Sequence, residues 1–190
     1  MNSIMPAWNV REREIMLHQP PFLTVERHHV ILPDGREIPN WQWVITPEYV
    51  NVAAITADNK FVLFRQEKYA VEGMSLAPVG GYLEPGEDPL LAAQRELREE
   101  SGYVAPDWEH LGRYAVDGNR GAGVAHLYLA RGATFAGKGE SDDLEAQELV
   151  LLTVEEVRRA LAAGEFKVLA WATVMALALL RLSEWEQGEA

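Results

Sequence analysis

Residues 80–103 read GGYLEPGEDPLLAAQRELREESGY, and this stretch is the most informative about the fold. Its first half is rich in glycine and proline, which is typical of a tight loop. From Pro89 to about Ser101 apolar residues recur at helical spacing, so the pattern predicts a helix. Asp88 suits the N-cap, and Gly102 suits the left-handed residue beyond the end. The stretch therefore predicts a glycine-rich loop that runs directly into a capped helix.

The second half of this predicted helix places three carboxylates on one face. With about 3.6 residues per turn, Glu96, Glu99 and Glu100 lie side by side. Like charges at these spacings cost about 0.2–0.5 kcal/mol per pair, and anions near a helix C-terminus oppose the helix dipole. One interpretation is a solvated acidic face softened by Arg95 and Arg98. The other is a set of oxygen ligands for a hard divalent cation such as Mg²⁺.

The loop before the helix favours the metal interpretation. Gly80 and Gly81 allow the backbone to approach a metal or substrate closely, and their free carbonyls or amides can add ligands or phosphate contacts. A glycine loop alone is more often a turn than a site. Here the loop is coupled to the acidic helix, and the combination is specific.

Loop and helix together resemble the complete box of the Nudix hydrolase family. Gly81 is followed after five residues by Glu87 and after seven more by Arg95, which begins the run RELREESGY. All the fixed glycine, glutamate and arginine positions match across 23 residues. Tyr103 departs from the family pattern, which usually has an aliphatic residue there.

The resemblance implies a fold, a cofactor and a reaction. The fold is α+β, an α/β/α sandwich in which a mixed sheet lies between helices, and the cofactor is Mg²⁺ or Mn²⁺. The reaction is hydrolysis of a nucleoside diphosphate linked to another group. The implied metal ligands are Glu96, Glu99, Glu100 and the carbonyl of Gly80 or Gly81, with Glu99 and Glu100 also catalytic. The implied structural residues are Gly81, Glu87, Arg95 and Gly102.

A second acidic segment, residues 139–145, precedes a predicted strand. It contains Glu140 and Asp142. One interpretation is a solvated surface loop. The other is that one of these two acids swings in as a general base or an extra metal ligand when substrate binds. The position is similar to that of the catalytic loop glutamate in ADP-ribose pyrophosphatases.

Composition limits the class of partner. The chain has 190 residues, 17 Lys and Arg against 29 Asp and Glu, and a formal net charge of -12. Such a surface repels nucleic-acid backbones and anionic lipid, so we expect neither as a partner. The longest apolar stretch, residues 168–180, is too short to span a bilayer. The absence of cysteine fits a reducing compartment, and we expect a cytoplasmic protein.

The N-terminal region predicts an extension of the main domain. Residues 22–32 and 37–46 are rich in Val, Ile and Trp, and Pro33, Asp34 and Gly35 between them suit a turn. We expect a β-hairpin within an extension, residues 1–46, followed by a Nudix hydrolase domain, residues 47–190. The extension is either part of the same domain or an interface of a homodimer, as the resemblance implies.

Three further stretches resemble the branch of the family that hydrolyses ADP-ribose and nucleoside-diphosphate sugars. They are residues 50–56, 62–69 and 78–81. The resemblance implies that ADP-ribose or a related nucleotide sugar is cleaved to AMP and a sugar phosphate. One position departs from the branch, since Asn119 stands where a proline is usual. The alternatives are another nucleotide, such as a nucleoside triphosphate or a coenzyme, and a non-catalytic module that senses a nucleotide.

Five side chains outside the box are candidates for substrate binding. Arg65 and Lys68 are cations that either contact a phosphate or ribose or form surface salt bridges. Trp41 and Trp43 lie on one strand face, where they either stack on adenine or pack in the core or a dimer interface. Arg120 lies in a glycine-rich loop and either meets a phosphate or is simply exposed.

Overall fold

The computed structural model describes residues 8–137 and 147–188. Within it the chain forms two compact units. The first unit contains the chain up to Pro47 together with Ala115–Val124, and the second contains Glu48–Tyr114 and the chain from Ala125. The predicted division into an extension, residues 1–46, and a domain, residues 47–190, stays a prediction.

The first unit is built on a three-stranded antiparallel sheet in the order β1-β2-β3. The predicted hairpin is present as β2 and β3, and its turn is closed by a hydrogen bond from the Gly35 N–H to the Leu32 carbonyl, 2.9 Å. Gly35 has a φ of 84°, which explains why glycine is used there. The strands are β1 (Asn9–Gln19), β2 (Leu23–Ile31) and β3 (Glu37–Ile45).

The sequence pattern did not predict β1. Nearly all of its side chains are exposed, so the strand has no buried face to produce an alternating pattern. Its place in the sheet comes from backbone pairing with β2 and from cross-strand ion pairs such as Arg27 with Glu14 and Arg11 with Glu37.

The second unit contains an eight-stranded mixed sheet. Its central order is β11-β5-β4-β10-β8, with β6 paired to β5, β7 to β4 and β9 to β10. β4 and β10 are parallel, whereas β5 is antiparallel to β4, β6 and β11. The strands are β4 (Tyr49–Thr56), β5 (Lys60–Lys68), β6 (Val71–Ala77), β7 (Val79–Tyr82), β8 (Tyr103–Val104), β9 (Asp107–Ala115), β10 (Val124–Phe135) and β11 (Gln147–Thr153).

Helices cover both faces of this sheet, as predicted for an α/β/α sandwich. Helix α1 (Pro89–Ser101) packs on one face, and helices α2 (Val154–Ala162) and α3 (Leu169–Gly188) pack on the other. Each face has its own core of buried residues. Because β4 is buried on both sides, it reads as an unbroken apolar run, with Val52 under α1 and Ala53 under α3. Among the described residues, no helix has the length and apolar character required to cross a membrane.

The ends of α1 match the sequence prediction. The Asp88 carboxylate accepts hydrogen bonds from the backbone N–H groups of Leu90 and Leu91, 2.9 and 3.3 Å. At the other end Gly102 adopts the left-handed conformation, with a φ of 73°, and donates its N–H to the Arg98 carbonyl. These caps define the length of the helix that presents the carboxylates.

Gly102→Ala is expected to destabilise the protein by about 2–4 kcal/mol, because left-handed strain and overpacking add. A Cβ at this position would lie 1.9 Å from the Gly137 carbonyl oxygen. Gly86→Ala is the matched control, since Gly86 also has a positive φ, 80°, but a Cβ there meets nothing within 4 Å. Thermal unfolding of both variants measures the difference. Equal losses would contradict the close packing at Gly102.

Candidate active site

Two of the three predicted carboxylates meet the glycines of β7. The Gly80 N–H donates a hydrogen bond to Glu100 Oε2, 3.0 Å. A Cβ on Gly81 would lie 2.3 Å from Glu96 Oε1, so the Glu96 carboxylate occupies the space that a side chain at residue 81 would need. The packing of α1 against β7 therefore brings Glu96 and Glu100 to the same short piece of backbone.

Arg95 connects the third carboxylate to this group. Its Nη1 donates to Glu96 Oε1 at 2.7 Å and to Glu99 Oε2 at 3.1 Å. Glu99 differs from Glu96 in exposure, since 49% of its side-chain surface is accessible against 12% for Glu96. The three carboxylates thus run from a buried position beside β7 to the open surface of α1.

The same arginine ties the loop before α1 to the helix. Its Nε and Nη2 donate to the two carboxylate oxygens of Glu87, each at 2.9 Å, in a bidentate pair. Its Nη2 also donates to the Tyr82 carbonyl at 3.2 Å, and Glu87 Oε2 accepts the Glu84 N–H at 2.9 Å. The contacts of Glu87 and Arg95 therefore fasten the turn of residues 82–88 onto α1.

The pKa values of Glu87 and Glu96 shift in opposite directions, although Arg95 donates hydrogen bonds to both. Hydrogen bonding to Arg95 lowers the pKa of Glu87 below its usual value. Burial raises the pKa of Glu96 above its usual value, although Arg95 acts in the opposite direction. Hydrogen bonding to Glu87 in turn raises the pKa of Arg95, which is charged at any physiological pH. For Glu96, therefore, desolvation disfavours the charged form more than the contact with Arg95 favours it.

The donor set suits a divalent cation. Glu87, Glu96 and Glu99 share the single positive charge of Arg95, and Glu100 adds a fourth carboxylate at the Gly80 N–H. Oxygen ligands with excess negative charge are what Mg²⁺ and Mn²⁺ prefer. Within residues 8–137 and 147–188, however, no three acidic, histidine or cysteine side chains stand in a metal-holding arrangement. The arginine lies between Glu96 and Glu99, so the assignment of metal ligands stays a prediction.

Asn51 is a neighbour of this site that the sequence did not indicate. It pairs with Gly80 across β4 and β7, and a Cβ on Gly80 would lie 2.1 Å from its Nδ2. The side chain is buried, and its Oδ1 has no hydrogen-bond partner in the described part of the chain. In the sequence, Asn51 is a single polar residue within an apolar strand, and nothing in that pattern marks it as a site residue.

A buried histidine lies at the start of β10, beside the first residues of β4. His126 Nε2 is 2.7 Å from Glu48 Oε2, and Arg113 Nη2 is 3.3 Å from Glu48 Oε1. Hydrogen bonding to His126 lowers the pKa of Glu48. The two residues are far apart in sequence and meet only because β4 and β10 are parallel neighbours, so no local signal predicted the pair.

The strand pattern places one of the two predicted cations of β5, Arg65, away from the carboxylates. Arg65 is opposite Leu76 of β6, and Leu63 and Leu76 both belong to the core beneath α2 and α3. Side chains two residues apart in a strand share a face, so Arg65 lies on that face and not beneath α1. Lys68 follows an irregularity in the β5–β6 pairing and is half-buried. Their contact with a substrate stays a prediction.

The remaining predicted contacts come together in the first unit. Trp41 donates its indole N–H to the Asn119 carbonyl at 3.1 Å. Trp43 stacks on His28 with ring centroids 5.4 Å apart, and a Cβ on Gly121 would lie 2.5 Å from its ring. Both tryptophans thus hold the Ala115–Val124 segment. Arg120, on the same segment, is exposed and lies 3.5 Å from Asp117. Glu140 and Asp142 lie outside the described residues.

Two known proteins are similar in sequence to this chain over most of its length. The methanol dehydrogenase activator of Bacillus methanolicus is 34% identical over 157 residues, which are 80% of this chain and 84% of that protein. The ADP-ribose pyrophosphatase of Bacillus subtilis is 29% identical over 161 residues, which are 84% of this chain and 85% of that protein. Both similarities extend well beyond the loop and helix of residues 80–103.

A solved structure and a family model also match this chain. A crystal structure of an ADP compounds hydrolase superposes with a TM-score of 0.78 at 20% sequence identity, over 98% of this chain and 97% of that one. At this identity the likeness concerns the fold. The NUDIX domain family matches residues 45–172, which include the whole of the carboxylate site. The chain therefore belongs to the NUDIX domain family, as a Nudix pyrophosphohydrolase.

Proposed function

We propose that this protein hydrolyses the pyrophosphate bond of ADP-ribose or a related nucleotide sugar, giving AMP and a sugar phosphate. The observation that supports this most directly is the convergence of Glu96 and Glu100 on the Gly80–Gly81 backbone. The similarity to the Bacillus subtilis ADP-ribose pyrophosphatase supports the choice of substrate class. Another relative is a methanol dehydrogenase activator, a description that does not specify ADP-ribose, so the substrate requires a direct test.

The Nudix family generally uses a divalent metal ion, commonly Mg²⁺. We assign its binding here to Glu96, Glu99, Glu100 and the Gly80 carbonyl. When bound, such an ion neutralises the diphosphate and lowers the pKa of a coordinated water. The carboxylates provide negative charge for the metal ion at the proposed diphosphate site. The Glu87–Arg95 pair holds the loop of residues 82–88 against α1. Glu140 or Asp142 is the proposed general base.

Substrate recognition is assigned to side chains outside the box. Lys68 is the proposed contact to the phosphates or ribose, Trp41 and Trp43 to the adenine, and Arg120 to a phosphate. Arg65 was predicted to share the role of Lys68, but it lies on the sheet face covered by α2 and α3 and is assigned no contact here. Cations suit this role because charge-assisted hydrogen bonds to phosphate are about twice as strong as neutral ones. A homodimer and a cytoplasmic location remain predictions, and light scattering would measure the oligomeric state.

A hydrolysis panel tests the proposal. ADP-ribose, ADP-glucose, UDP-glucose, NADH, FAD and nucleoside triphosphates are incubated with the protein, with Mg²⁺ and with chelator, and the products are separated by chromatography. We expect AMP and ribose 5-phosphate as the dominant products from ADP-ribose, and no turnover with chelator. Turnover of another compound with ADP-ribose untouched would reject the substrate while keeping the chemistry. Absence of turnover across the panel would reject both.

A further inference from the structure

A pocket lies on the flank of α1 that faces away from Glu96 and Glu100. It has a volume of about 390 Å³ and is lined by Gln94, Arg95, Arg98, Val104, Ala105 and Trp108. Residues two positions apart on a helix are rotated by about 200°, so Gln94 and Arg98 face away from Glu96 and Glu100. The volume falls within the range of small-molecule sites, about 300–1,000 Å³. The pocket is therefore separate from the carboxylate site, although Arg95 borders it.

One wall of this pocket is apolar and held in place. Trp108 donates its indole N–H to the Ala105 carbonyl at 2.9 Å, and its ring meets Tyr128 edge to face. The indole N–H is thus already used, and the ring has apolar surface to offer a ligand. Val104, 38% exposed, and Ala105 extend this surface. A fixed aromatic wall of this kind suits the flat face of a heteroaromatic ring.

The facing wall is polar and positively charged. In the part of the chain that the structure describes, no carboxylate lies within ion-pair distance of Arg98. Arg95, by contrast, is already bonded to Glu87, Glu96 and Glu99. The Arg98 guanidinium and the Gln94 amide therefore provide the hydrogen-bond donors, and a guanidinium binds phosphate especially well.

We propose that this pocket is an accessory binding site for a nucleoside monophosphate, with the base against Trp108 and the phosphate on Arg98. A base and a phosphate together match the two walls, whereas a free phosphate would leave the aromatic wall unused. The site needs neither a metal ion nor turnover. Its test is accordingly independent of the proposed hydrolysis.

Calorimetric titration with AMP in the presence of chelator tests the site. We expect binding with a Kd below about 1 mM, weakened about tenfold by Arg98→Ala through loss of a charge-assisted contact. Gln94→Glu, which adds a negative charge to the same flank, is expected to weaken binding as well. Arg159→Ala is the matched control, because Arg159 is also an exposed arginine in the last turn of a helix. It should bind AMP like the parent protein.

Two further measurements test whether AMP contacts Trp108 and whether AMP binds outside the carboxylate site. AMP should change the tryptophan fluorescence of the parent protein in chelator, and Trp108→Phe should diminish that change. Glu100→Gln should bind AMP with unchanged affinity in chelator. The proposal is overturned if AMP does not bind, if Arg98→Ala and Gln94→Glu both bind it like the parent protein, or if Glu100→Gln removes the binding.

Discussion

Glu100→Gln is expected to lower kcat for metal-dependent hydrolysis by about 10²- to 10³-fold, the loss seen when one group that stabilises transition-state charge is removed. The substitution keeps an oxygen that can accept the Gly80 N–H, now 3.0 Å from Glu100 Oε2, so the contact between α1 and β7 survives. It removes the negative charge that the proposed metal site requires. The loss should therefore appear in activity and in metal affinity, with the melting temperature nearly unchanged.

Steady-state kinetics on the best substrate of the panel, together with calorimetric titration of Mn²⁺, would measure both effects. Glu155→Gln on α2 is the control, since it removes one exposed glutamate from another helix and leaves the carboxylate site intact. Glu99→Gln should resemble Glu100→Gln in activity. Parent-like rates in both box variants would remove the assignment of the site, even if the enzyme hydrolyses ADP-ribose.

Gly81→Ala and Gly80→Ala are expected to fail in different ways. A Cβ at residue 81 would lie 2.3–2.5 Å from the three carboxyl atoms of Glu96, which end a flexible side chain. The carboxylate can rotate away, so the fold should persist while a proposed metal ligand is displaced. We expect at least a tenfold loss of activity, comparable to losing a group that supports a metal site.

Gly80→Ala instead forces a change in the sheet. Its Cβ would lie 2.4 Å from the Val50 carbonyl oxygen and 2.1 Å from Asn51 Nδ2, and Val50 and Asn51 both belong to the buried strand β4. Backbone cannot move aside without disturbing β4–β7 pairing, so we expect a loss of about 2–4 kcal/mol. Thermal unfolding and activity, measured on both variants, separate the two cases. Similar melting temperatures for the two variants would contradict this account.

The sequence determined α1 and its loop because the forces that form them are local. The Asp88 cap, the left-handed Gly102 and the spacing of the three glutamates all act within a few residues. The β-hairpin of the first unit was predictable for the same reason, since its turn residues are adjacent. Strand β1 was not predictable, because exposed charged residues leave no periodic signal.

The contacts made by the glutamates were not predictable to the same degree. Helical spacing placed Glu96, Glu99 and Glu100 on one face, but did not show that Arg95 would bond to Glu96 and Glu99 while the Gly80 N–H binds Glu100. Those partners depend on how α1 packs against β7. The raised pKa of Glu96 has the same origin, because it results from burial of the Glu96 side chain where α1 packs against the sheet.

The sequence by itself therefore determined the family, because the family's box is a short stretch of residues at fixed spacing, and the resemblance in turn implied the α/β/α fold. The metal ligands of the box stay a prediction. Tertiary structure alone decided which side chains meet across the sheet. It paired Glu48 with His126, set Asn51 beside Gly80, and placed Arg98 and Trp108 around one pocket on the far flank of α1. The physical reason is that these contacts join residues distant in the chain, and strand order and helix packing, which no local pattern encodes, bring them together.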